Sequence, residues 1–187
     1  MNPDRDAQIA AFIGRVDPFL TAMLADMQFV GSVPRTPNNA CAWDRANVRT
    51  FFSVLDALSN FLRSQALFLR DLGWKGLDSD LLNRLQPQAR LTLKENVKVS
   101  LNAIAAVRNP RLMPLDFGRS PEWGKLVEAE SVRDRIIHPK SETDLTITAA
   151  ECAVFNAAVL WYFRTLVDCL ALERPPWLQN FGDAQRT

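Results

Sequence analysis

Residues 48–62 read VRTFFSVLDALSNFL. At about 100° per residue, Val48, Phe51, Phe52, Val54, Leu55, Leu58, Phe61 and Leu62 gather on one broad arc. Arg45, Arg49, Ser53, Asp56, Asn60 and Arg63 fall in a narrow stripe on the other side. A helical period sustained over so many turns predicts a long amphipathic helix over about 41–72, closed by Gly73 and Gly76. The ordinary meaning of such a stripe is a solvated face. This one mixes short polar residues with arginines where a solvated helix favours Glu and Lys. Arg49 and Asp56 also lie two turns apart on one side, a spacing suited to a third group between them.

Proline and glycine punctuate the remainder. A helix is expected over about 4–30, with a bend or break at Pro18, then a loop at 31–39. A short helix around 79–85 and another at about 88–107 follow, then an irregular basic loop, RNPRLMPLDFGRS, at 108–120. Ser120-Pro121 is an N-cap and first-turn pair whose helix should stop before Pro139. Thr148 to Glu151 is a capping box for a last helix ending near Glu173. That helix is apolar on nearly every side, as expected of one central in its bundle or buried against a second subunit. Only 145–147 is strand-like, so the fold class is all-α, a bundle of about five to six helices forming one domain. Beyond it lies a tail at 174–187 in which Trp177 and Phe181 are suited to docking back on the body.

Composition narrows the function. The chain has 187 residues, 48% apolar and 23% charged, enough to bury a core without disulfide or metal. With 22 Lys plus Arg against 21 Asp plus Glu, the formal charge is +1. This excludes a protein that holds nucleic acid through a strongly basic surface, though not one with a local basic cleft. None of the 7 glycines belongs to a phosphate-loop or dinucleotide fingerprint, and one histidine excludes a multi-His metal site. Cys41, Cys152 and Cys169 are too widely spaced for a zinc framework and read as small core or near-core residues. The N-terminus, MNPDRDAQIA, has no basic region leading into an apolar run, and residues 147–163 are too short and polar to span a bilayer comfortably. The expected location is the cytoplasm, with no membrane partner. The five tryptophans (Trp43, Trp74, Trp123, Trp161, Trp177) read as core or interface anchors, leaving no aromatic platform for splayed bases.

Chemistry concentrates at the single histidine. In VRDRIIHP, residues 132–139, His138 is expected at the end of a helix, its ring at a rim. Asp134, at i−4, shares its face and is placed to meet the imidazole. Arg133 lies about 140° away around the helix, so it and His138 would converge with copies from a second subunit rather than with each other.

Arg133-Asp134-x-x-x-His138 resembles the signature of HEPN domains: arginine, a polar residue, three variable residues, histidine. The continuation His-Pro-Lys-Ser, then Asp144-Leu145 and a capped apolar helix, is similar to that family's usual ending. The helix with Arg45, Arg49 and Asp56 resembles the long helix packing beside the motif, whose polar residues face the active centre. Asp134 stands where asparagine is commoner in active members. The resemblance spans about 41–172 and leaves 1–40 as an N-terminal helical extension. It implies a metal-independent endoribonuclease with no cofactor, working as a homodimer with facing motifs and sparing DNA. Arg133 would steady the phosphorane, His138 exchange protons and Asp134 orient the ring. Lys140 and Arg135 would hold flanking phosphates, and Arg45, Arg49 and Asp56 would form a substrate-facing wall. Two other readings stay open. One is an inactive HEPN-like module of a toxin–antitoxin or defence system, bound to a partner such as a minimal nucleotidyltransferase. The other is a helical scaffold in which His138 merely caps a helix.

Overall fold

The apolar arc of residues 48–62 becomes the inner face of the longest helix. A computed structural model describes residues 3–173 and gives six α-helices, with no strand among the described residues. They are α1 (Pro3–Ser32), α2 (Ala40–Asp71), α3 (Ser79–Leu85), α4 (Leu93–Arg108), α5 (Pro121–Ile137) and α6 (Ala149–Leu170). Short 3-10 turns lie at Pro110–Leu112 and Glu142–Leu145. The all-α bundle expected from the sequence is therefore observed. The docking expected of Trp177 and Phe181 falls outside the described residues.

Helix α2 packs on α1 and α4, and α6 lies across α4 and α5. Phe51 is at the centre, fully buried, with edge-on contacts to Phe52, Phe155, Tyr162 and Phe163. Helices α1 and α2 form an antiparallel hairpin. Phe12, Val16, Phe19 and Met23 recur at three- and four-residue spacing on α1, and Phe19 stacks on Phe61 at 4.0 Å between centroids. The connecting loop is held by Trp43 Nε1 donating to the Val33 carbonyl and by Arg35 donating to both oxygens of Asp44.

Three expectations are corrected. Helix α1 runs through Pro18 without a break. The carbonyl deprived of its partner there belongs to Gly14, and both residues are exposed, so water can serve it. Helix α4 begins at Leu93, later than predicted, because Thr92 and Glu95 close a reciprocal capping box. Within the described chain α4 is more enclosed than α6: Val99, Ser100 and Leu101, then every residue from Ala103 to Val107, are interior. Helix α6 buries Ala158, Tyr162, Phe163, Leu166, Cys169 and Leu170 but leaves Val154, Val159, Leu160 and Trp161 half-buried. By length and composition alone α6 is long and apolar enough to cross a membrane, a test that a buried core helix also passes. Of the cysteines, Cys169 fits its expected core position, its thiol pushed up to about 12 by burial, whereas Cys41 is exposed.

The turn after α2 needs glycine. Gly76 has φ of 126°, and a Cβ there would lie 2.2 Å from the Ala106 carbonyl oxygen on α4.

Candidate functional site at the end of helix α5

Ser120 caps α5 by accepting the Trp123 N–H, and Pro121 occupies the first turn, as the sequence predicts. Pro139 ends the helix at the other side, so His138 becomes the C-cap, its N–H donating to the Asp134 carbonyl at 3.0 Å. The residue is exposed, and its ring stands at the end of α5 facing solvent.

The segment carrying His138 is fastened by three arginines. Arg49 of α2 donates to the Ile136 carbonyl at 2.7 Å, in the last turn of α5. A cation at that place also opposes the partial negative charge of the helix end. Arg45, one turn earlier on α2, donates to the Leu145 carbonyl at 3.0 Å. Arg135 donates to the carbonyls of Asp144 and Thr146, each at 2.8 Å, and to Glu151 at 2.6 Å. From within the loop, the Asp144 carboxylate accepts the backbone N–H groups of Lys140 and Ser141, which hold its pKa below the usual range. Burial would raise Glu151, but the Thr148 N–H and hydroxyl, with Arg135, bring it below its ordinary value.

Arg133 lies on the side of α5 that meets α2. Its guanidinium carbon is 5.5 Å from the Phe52 ring centroid, and Nε and Nη2 both donate to Asp134 Oδ1. Asp134 was expected to orient the imidazole, and this is a correction. The long arginine side chain folds back to the adjacent carboxylate, and Asp134 meets His138 backbone to backbone, its carbonyl accepting the His138 N–H. Arg135 calls for a second correction, since the guanidinium expected to meet a phosphate is bonded within the chain. Lys140 is exposed and engages the loop only through its backbone N–H.

The polar stripe of α2 divides in two. Arg45 and Arg49 turn toward the α5 end. Seven residues beyond Arg49, about 10 Å along the axis, Asp56 accepts from Asn60 and from Asn96 of α4, each at 3.4 Å. Arg63 is 9% exposed and donates to the Arg84 and Gln86 carbonyls, closing α3 against α2. Asp56 thus faces α4, whereas Arg49 faces the end of α5. Sequence reasoning missed three supports: Glu151, which serves both the α6 cap and Arg135; Asp144; and Phe52 beneath Arg133. The Ser141–Asp144 spacing, a capping box closing the loop turn, was the available signal for one of them.

No protein-family model matches the chain, and neither a curated protein nor a solved structure matches it.

Proposed function

We propose that the chain is a HEPN-like, metal-independent endoribonuclease whose active centre forms where the α5 ends of two copies meet. One observation carries the reading. The only histidine stands exposed at the end of α5, the helix that carries Arg133 and whose last turn Arg49 reaches from α2.

Such a centre supplies what phosphodiester transfer by the 2′-OH requires. One imidazole takes the 2′-OH proton as the oxygen attacks phosphorus. The bond from phosphorus to O5′ breaks, and a protonated imidazole returns a proton to O5′. The products are a 2′,3′-cyclic phosphate and a 5′-hydroxyl. Each chain has one histidine, so separate acid and base need two copies. The Arg133 fork, leaving Asp134 for a phosphate, would gather the charge on the equatorial oxygens. Lys140 would hold a flanking phosphate. Arg45 and Arg135 would keep the loop in place.

The Arg133–Asp134 pair favours a second reading, a catalytically silent binding module, because it neutralises the cation that the chemistry needs. Product analysis separates the two. A labelled RNA should yield cyclic-phosphate ends, and replacing one ribose by 2′-deoxyribose should stop cutting at that linkage alone. Cutting that persists at the deoxy position contradicts the nuclease mechanism. Absence of any cutting supports the binding module.

A further inference from the structure

Phe29 is the most exposed large apolar residue described, at 74%. It lies near the C-terminal end of α1, beside a groove of about 520 Å³ that α1 forms with α2. That volume falls among small-ligand clefts, roughly 300–1,000 Å³. Met23, Val54 and Ala57 supply apolar walls, and Thr50, Ser53 and Asp26 add polar groups. Arg49 lines the same groove. Its Nη2 bonds the Ile136 carbonyl in the last turn of α5, so this one arginine joins the groove wall to the helix end that carries His138.

We infer that this groove takes one unpaired nucleoside of a single-stranded RNA, its base stacked on Phe29, next to the phosphate handled at His138. The inference rests on the nuclease reading for its substrate and supplies the aromatic platform the sequence does not reveal. An exposed aromatic ring with a cation at one end matches a base joined to a phosphate. Asp26, Thr50 and Ser53 offer acceptors and hydroxyls for the base edge or ribose. The groove is sized for a small ligand and holds an arginine beside the site, features that favour RNA over a protein helix. Stacking is sequence-tolerant, so the expected specificity is for unpaired RNA rather than for one base.

The test uses the full chain with His138→Ala, which prevents turnover, and a short fluorescein-labelled single-stranded RNA of mixed sequence. Anisotropy should show that Phe29→Ala raises Kd about five- to tenfold and that Phe29→Trp restores it. A double-stranded RNA should show no dependence on Phe29. Equal affinity with and without the ring overturns the inference, as does failure of the parent to bind. A change in mass by light scattering with RNA affinity intact would also overturn it, identifying the groove as a protein contact. Cleavage that needs His138 but is unaffected by Phe29→Ala removes the subsite and leaves the nuclease. Phe29-dependent binding without any cleavage by the wild-type chain keeps the subsite and removes the nuclease.

Discussion

Within a single turn of α5, Arg133 and Arg135 have opposite tasks. Arg135 is tied to two carbonyls and a carboxylate, and removing it strands acceptors around the loop. Arg135→Met should therefore lower unfolding free energy by about 1–3 kcal/mol in urea denaturation. Lys140→Ala touches no internal side-chain bond and should stay within about 0.5 kcal/mol of the parent. If Lys140 contacts phosphate, the same change should weaken RNA binding and reduce the salt slope by about one. Spacing in the sequence identified which residues lie near the α5 end, because Pro139 decides where the helix stops. It did not identify their partners. Whether Asp134 meets His138 or Arg133 depends on how a long side chain folds over Phe52, which lies on another helix.

Caps and glycines set the elements, and their effects are separable. Thr148→Ala should cost about 1 kcal/mol, the usual value of an N-cap. Glu151→Ala should cost more, since that carboxylate also holds Arg135. Gly76→Ala meets a backbone oxygen that cannot turn aside and a φ of 126°, and should destabilise by more than about 2 kcal/mol. Thermal melts of these variants check the order. Helix α2 was legible from its period, α5 from Ser120 and Pro139, and α6 from its Thr148–Glu151 capping box. The start of α4 was misplaced because the Thr92–Glu95 box was passed over for an earlier beginning. Pro18 misled because it and Gly14, whose carbonyl it orphans, lie on the exposed side of α1, where water can serve that carbonyl. The polar stripe of α2 reads as one feature, yet its two ends face different neighbours, which no single-helix pattern contains.

At the scale of the whole molecule, charge ties stability to pH. Glu95, Asp144 and Glu151 all have pKa values below their ordinary 4.5, 3.8 and 4.5. Each binds protons more weakly folded than unfolded, so its contribution is complete above those ordinary values. It is lost as pH falls through the lowered folded values. Urea midpoints should thus be flat with respect to these groups from neutrality to about pH 5 and fall below it. Protection factors of the Lys140 and Ser141 amides should fall over the same acid range, because Asp144 holds those two N–H groups. In the proposed nuclease His138 transfers protons during RNA cleavage without a metal. The most direct test incubates RNA in excess chelator with the wild-type chain and with His138→Ala purified in parallel. Cleavage by the first and none by the second is the expected result. Equal cleavage by both, or none by either at high protein concentration across several RNAs, would contradict it.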